Sequence, residues 1–534
     1  MKKIYYLPFL LSGMLAVSCS DDLGNYYYQE INEVHLSESG DFVNGETYTR
    51  IAFVDNLTFD PTIEFTQNSN ESNYEYEWRL LPSGTDFKNL TEDEKERLVL
   101  CRTKKIDMPI TFAPKQYTLY FVVKDKTTGV EWSNWCILLV TSVTAEGWLV
   151  LCDDNGHAML DVIHNRDAEN DIVAKDILRS DDFETGRPIR LVYSYHRYNP
   201  AILLVTDKGT YNLDRTNLTI DDSKNFKWSF GLRNEIDVTA SGLAQYSKTN
   251  YWVVVDNKND IYLNNTSDSE ALFGYPVNLL DGKTRFNVAP FVGVNLNNES
   301  WKEGMSGCVP IVLYDMDNRQ FVCFKNNAAY PSVMTFKTNT LFQNPTGRDM
   351  VYMESTRHGK IHALLKDPAD GKIYHYGMTL KAIEIPPKYW WQDPEVIEEN
   401  QQENYEEISA PEIKDAKLFA FHHLYNYMFF ATGDKVYQVD LSEPDKAKEV
   451  LSFPGEEVTV LRFNPIVGWE AYKDWERART YQLIVGTTAN AKPENECGTF
   501  RLYEVPNLMG DLVKVKEHGG LGKIIHIMYK ERHK

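Results

Sequence analysis

Two clusters of aromatic residues are the side chains best suited to hold a ligand. Pro386, Pro387 and Lys388 lead into Tyr389, Trp390 and Trp391, and a polar, acidic run from Glu395 to Glu407 follows. Contiguous aromatics on a loop stack on sugar rings, cover peptide side chains or dock a partner protein. Trp469, Tyr472 and Trp475 form a second cluster. The plain alternative for both is packing. The first would lie on its own domain under the acidic segment. The second would act as a cap, since Glu476 and Arg477 adjoin Trp475.

Other constellations argue themselves away. Asp153-Asp154-Asn155, Asp256 with Asp260, Asp315 with Asp317 and Asp367 with Asp370 offer oxygen ligands. None sits in a calcium loop closed by a glutamate, and turn chemistry accounts for each. The cysteines show no CxxC pair, so a zinc knuckle is not expected. His422 and His423 fall in a predicted strand, where neighbours face opposite sides and cannot share a ligand. Gly519-Gly520-Leu521-Gly522-Lys523 has the wrong glycine spacing for a phosphate loop, and Ile524 stands where Ser or Thr is needed. It reads as a loop into a last strand. No HExxH or GxSxG signature occurs. A glycosidase would need a matched pair of carboxylates, and the 77 acidic residues single out none. No catalytic residue, metal or cofactor is therefore assigned.

The N-terminus carries targeting chemistry. Lys2 and Lys3 precede the short apolar run Ile4–Val17, which is too short for a stable span. Leu15-Ala16-Val17-Ser18-Cys19 resembles a bacterial lipobox, making residues 1–18 a signal peptide and Cys19 the lipidated residue. The alternative is a plain secretory signal with a chance cysteine. Ser20-Asp21-Asp22 resembles the export signal of surface lipoproteins in one group of Gram-negative bacteria; otherwise residues 19–28 are only an acidic tether. The expected location is the outer membrane, lipid-anchored, facing outward. A net charge of −21 repels nucleic acid. Cys101, Cys136, Cys152, Cys308, Cys323 and Cys497 read as buried thiols, their disulfide state left open.

The elements that must position these residues are strands. Aromatics make up 13% of the chain, a composition suited to pleated surfaces. Residues 29–144 read as an immunoglobulin-like β-sandwich, with strands at Tyr74–Trp78, Tyr117–Val123 and Trp132–Thr141. Thr91–Leu98 is a short helical insertion with a threonine cap.

Residues 145–534 repeat a hairpin. It begins at Gly147–Ile163 and returns at Ala201–Leu213, Tyr251–Leu263, Val309–Phe324, Ile361–Tyr376, Tyr427–Val439 and Tyr481–Val505. Six of the seven hairpins follow a further apolar strand: Ile189–Tyr195, Gly242–Tyr246, Val288–Val294, Met350–Met353, Leu418–Leu424 and Val458–Phe463. The first hairpin has none, and Lys523–Tyr529 is a strand with no hairpin after it. Pairing the two closes a ring, predicting an all-β chain whose second domain is a β-propeller of seven blades. A fourth strand is not evident in every repeat. Six or eight blades, or a pair of ordinary sandwiches, remain the alternatives.

Asp22-Leu23-Gly24-Asn25-Tyr26 behind the lipobox, Glu33-Val34, the Tyr74–Trp78 strand and the Tyr117–Val123 strand with its Thr-Gly turn together resemble the PKD-like family of lipoproteins. The Trp-Asp-Phe-Gly-Asp-like signature of true PKD repeats is absent. The resemblance covers the whole chain, since family members carry a large β domain behind the sandwich. It implies a non-catalytic accessory or binding subunit beside a SusC/SusD-type importer, taking up a peptide or glycan. A surface glycoside hydrolase or lyase, or an adhesive structural protein, are the competing expectations.

Overall fold

The computed structural model describes residues 32–36, 41–85, 87–178, 183–194, 201–245, 250–265, 271–296, 311–324, 329–338, 340–380, 382–389, 392, 395–468 and 472–532. Cys19, Ser20, Asp21, Asp22, Cys308, Trp390, Trp391 and Trp469 lie outside them. The chain divides into two compact units, residues 1–141 and 142–534.

In the first unit a five-stranded sheet runs in the order Thr47–Ile51, Glu131–Thr141, Lys115–Asp125, Tyr74–Pro82, Val99–Cys101. Only its first pairing is parallel. Two ribbons pair Val34–Leu36 with Ile63–Phe65 and Asn56–Phe59 with Ile106–Pro109. Leu57, Phe59 and Ile106 from the ribbons share one core with Trp78, Leu119 and Phe121 from the sheet, which makes the unit a sandwich. Thr91 caps the helix Glu92–Arg97 through a reciprocal capping box with Glu94. Trp78 is fully buried. Its ring meets Phe42 edge-on at 5.1 Å, and its Nε1 donates to the Thr103 carbonyl at 3.1 Å. Trp78→Ala is expected to lower the stability of this unit by about 3–5 kcal/mol, measured as a lower denaturation midpoint.

The second unit, among its described residues, holds seven principal antiparallel sheets in chain order. The first joins the hairpin Gly147–Asp154 and His157–Asn165 to Asp171–Ala174 on one side and to the C-terminal strand Lys523–Lys530 on the other. The second is Pro188–Ser194, Ala201–Thr206 and Gly209–Asn212; the third is Val238–Gln245, Asn250–Asp256 and Ile261–Asn265. The fourth is Val312–Asp315, Gln320–Cys323 and Ser332–Val333. Its inner segment is held only by bridges from Val288 and Gly293, because Pro290 interrupts the ladder. The fifth is Asp349–Ser355, Lys360–Lys366, Ile373–Thr379 and Gln401–Ile408. The sixth is Leu418–Phe421, Tyr427–Thr432, Lys435–Asp440 and Ala447–Ser452. The seventh is Glu456–Arg462, Gln482–Ala489, Gly498–Glu504 and Val513–Leu521. The fourth strand hidden in the sequence is thus present in the first, fifth, sixth and seventh sheets.

Each successive pair of sheets shares one hydrophobic core. A further core packs Trp148, Val150, Ile527 and Tyr529 of the first sheet against Val460, Ile484 and Phe500 of the seventh. The chain of cores therefore returns to its start, and the unit is a closed, propeller-like ring. The arrangement also explains the unbroken apolar arms of the hairpins. Leu149 and Leu151 face the second sheet while Trp148, Val150 and Cys152 face the seventh, so both faces of one strand are buried.

Three expectations need correcting. Gly519–Leu521 is not a loop but the end of strand Val513–Leu521. The acidic run after Trp391 is not a covering segment. Glu395–Glu398 pairs with Ala382–Ile385, and Gln401–Ile408 is the outer strand of the fifth sheet. His422 and His423 lie in the turn beyond the strand that ends at Phe421, so strand alternation does not separate them. Both rings pack near Phe463, and His422 Nδ1 accepts from the Leu424 and Tyr425 amides.

Candidate functional site

The innermost strands of all seven sheets line one cavity of about 640 Å³, a volume in the range of small-molecule sites. Its wall mixes apolar side chains such as Leu243, Val292 and Leu418 with polar ones such as Thr239, Ser241, Asn295 and Ser355. Two arginines, a glutamate and a histidine stand among them: Arg190, Arg462, Glu354 and His526.

A bulge recurs near the start of the inner strand in the second, third, fifth and seventh sheets. An extra residue there re-aims the side chains that follow. Arg190, Glu354 and Arg462 lie at or beyond such bulges. Arg190 donates from Nη1 to the Thr239 carbonyl of the third sheet at 2.7 Å. Arg462 donates from Nη1 to His526 Nε2 and to the Ile527 carbonyl, both at 3.1 Å. Glu354 accepts from the Phe421 amide and from the Tyr352 hydroxyl, the latter at 3.0 Å. These bonds tie neighbouring sheets together around the cavity.

Burial sets the charge states. Desolvation pushes the Glu354 carboxyl up to about 7. It drives His526 well below the usual histidine range, and Arg462 and Arg190 add to the effect. Both guanidiniums are lowered by burial but stay charged.

One end of the inner strands is tied across. Arg357 leaves the fifth sheet and donates from Nε to the Ile466 carbonyl at 2.9 Å and from Nη1 to the Leu296 carbonyl at 3.2 Å. Those carbonyls follow the inner segments of the seventh and fourth sheets, which are not neighbours in the ring. Glu531 accepts from the Val467 and Gly468 amides at 2.7 and 2.6 Å, fixing the same loop. Burial pushes the Glu531 carboxyl up to about 7.

The aromatic candidates lie elsewhere. Tyr389 is exposed beyond the small ribbon, with Lys388 Nζ 5.5 Å from its ring centre. Tyr472 is buried in the core between the seventh and first sheets, and its hydroxyl accepts from the Arg532 amide at 2.8 Å. Trp475 lies under the Arg479 guanidinium at 4.3 Å. Tyr472 and Trp475 therefore brace the seam of the ring, and Tyr472 is no contact surface. Arg190, Glu354, Arg462 and His526 form no motif. Their signal in the sequence is a lone charge inside an otherwise apolar inner strand, as in Ile189-Arg190-Leu191 and Val460-Leu461-Arg462-Phe463.

The aspartate turns are hairpin chemistry. Asp153 accepts from the Gly156 amide at 2.7 Å, and Asp256 from the Lys258 and Asp260 amides at 2.9 Å each. Among the described residues no group of three or more His, Cys, Asp or Glu side chains is placed to hold a metal ion. Cys101, Cys136, Cys152 and Cys497 are free thiols, and burial pushes Cys136 up to about 12.

No curated protein matches the chain. Among solved structures it is similar to a quinonprotein alcohol dehydrogenase-like protein from Bacteroides thetaiotaomicron, at 11% identity and TM-score 0.38, covering 91% of this chain and 96% of that one. It is also similar to SapL1 lectin in complex with alpha methyl fucoside, at 10% identity and TM-score 0.30, covering 63% and 96%. Aleuria aurantia lectin in complex with alpha-methyl-L-fucoside follows at 9% identity and TM-score 0.27, covering 61% and 95%. Likeness this distant does not bear on ligand or activity. Residues 19–187 match the PKD-like family, so a PKD-like family domain takes in the sandwich and runs on through the first sheet's hairpin.

Proposed function

We propose that this protein is a lipid-anchored, outward-facing protein of the outer membrane, serving as a non-catalytic binding subunit of a SusC/SusD-like nutrient uptake complex. The observation that carries the reading is the central cavity, lined from all seven sheets and sized for a small ligand. Glu354 is the one carboxylate among its described lining residues, whereas glycoside hydrolysis of the usual kind calls on two. A peptide or glycan fragment is the nutrient class, and Tyr389, with Trp390 and Trp391 beside it, is a further candidate contact for a partner or ligand. Cys19 supplies the anchor, and Ser20, Asp21 and Asp22 the export signal.

The test is fractionation and co-purification. Tagged protein should co-purify from detergent extracts with a transporter barrel of the SusC type. Cys19→Ala should leave the membrane fraction. Retention of the variant in the membrane as before would remove the lipid anchor, and purification without any barrel would remove the uptake role.

A further inference from the structure

The cavity holds more positive charge than its own carboxylate answers. Arg190 and Arg462 line it from the second and seventh sheets. Among the described residues neither guanidinium forms an ion pair with a carboxylate. Arg190 donates to a backbone carbonyl, and Arg462 donates to the His526 ring and to the Phe463 and Ile527 carbonyls. Both guanidiniums are half-buried, and Glu354, the one carboxylate among the described lining residues, acts on Arg462 from a distance without pairing with it. Partly desolvated charges in a cleft are candidates for a functional site.

The hydrogen-bond pattern points the same way. Arg462 has no lone pair to offer, so His526 Nε2 must accept and the ring proton sits on Nδ1. Nδ1 is buried and has no acceptor, and so is Arg190 Nε. Arg462, His526 and Arg190 stand on the seventh, first and second sheets, which are consecutive in the closed ring. Glu354 stands on the fifth. One arc of the cavity is thus rich in donors short of acceptors, while apolar side chains such as Leu243, Val292 and Leu418 line other parts of the wall. An acceptor bearing negative charge satisfies the first feature, and an apolar body satisfies the second.

We propose that the central cavity binds a small amphipathic carboxylate, its carboxylate group held by Arg190 and Arg462 and its apolar body against the apolar side chains of the wall. The proposal rests on the reading of this ring as a binding protein. A short apolar peptide with a free C-terminus and a short-chain fatty acid share this chemistry.

Titration calorimetry on the full-length protein in detergent tests it with three matched pairs. These are acetylated dileucine and its C-terminal amide, hexanoate and hexanamide, and galacturonate and galactose. At least one of the two apolar acids should bind, roughly tenfold or more tighter than its uncharged partner, the scale of losing a charged hydrogen bond. Arg462→Gln and Arg190→Gln should each erase that preference. Binding by the dileucine acid identifies a peptide source, and by hexanoate a fatty-acid source. Equal binding of acid and neutral forms, binding of galacturonate alone, or no binding by any acid overturns the proposal. Should both variants misfold, the acid and neutral pairs on the unmodified protein still decide. Co-purification with a transporter is measured separately, so the ligand proposal and the uptake role fail independently.

Discussion

Removing residues 523–534 is expected to abolish cooperative unfolding of the second unit. The strand Lys523–Lys530 is the inner strand of the first sheet, paired with Gly147–Asp154 from Gly147/Lys530 to Asp153/Lys523. Ile524, Ile527, Met528 and Tyr529 are all buried. At the usual worth of a buried apolar side chain they contribute roughly 6–12 kcal/mol together, comparable with the whole stability of a typical domain. Polar ties go with them. Lys530 Nζ donates to the Thr144 and Ala145 carbonyls at 2.6 and 2.9 Å, and Arg532 pairs with Glu146 and Glu476. Truncation would also expose both an unpaired strand edge and one face of the core between the first and seventh sheets, a template for aggregation. Calorimetry should show the loss of the second unit's main transition, and a synthetic peptide of residues 523–534 should restore part of it by re-forming the strand. A truncated chain that melts at the original temperature would mean that the ring does not depend on its C-terminal strand.

That closure is legible in the sequence because it rests on counting. Seven hairpins and six preceding strands leave one hairpin short and one strand over. The hairpins themselves are legible because their first arms, such as residues 149–152 and 203–205, are buried on two faces and read as apolar runs. The inner segment of the fourth sheet is less so: the apolar pattern of Val288–Val294 hides Pro290, which leaves only isolated bridges. The cavity's ionisable residues leave only a charge beside an apolar run, as at Arg190 and Arg462, and which face each takes is not legible. Bulges such as those between Pro188 and Arg190 and between Val458 and Val460 change which way later side chains point. Alternation counted along the sequence then assigns the wrong face. Aromatic clusters stand out instead, yet Tyr472 is core, because an aromatic ring near a closing seam has as much to gain from burial as from a ligand.

Acid should destabilise the second unit well above the range where carboxylates alone would act. His362, His375, His422, His423 and His526 all have their pKa lowered, in each case chiefly by burial, and His422 falls to about 4. Their folded pKa values lie below the unfolded value near 6.5, so the unfolded chain binds these protons first. Stability is therefore full above that value and is lost as pH falls through it. Each proton is worth about 1.4 kcal/mol per pH unit. Glu354 and Glu531 act in the opposite sense. Both are raised to about 7, so between roughly 4.5 and 7 the folded chain holds protons that the unfolded chain has released. Five groups against two leave a net loss of stability as pH falls through about 6.5. The melting temperature of the second unit should then fall by about 5 °C between pH 7.5 and pH 5. Two variants separate the opposing groups. Glu531→Gln should steepen the acid loss by removing a group that resists it. His423→Leu should flatten it, and with neither ring nitrogen hydrogen-bonded the change removes no bond. A melting temperature that stays level from pH 7.5 to 5, or a Glu531→Gln variant that is the more acid-resistant, would show that these side chains are not held in the folded ring with the charges their burial requires.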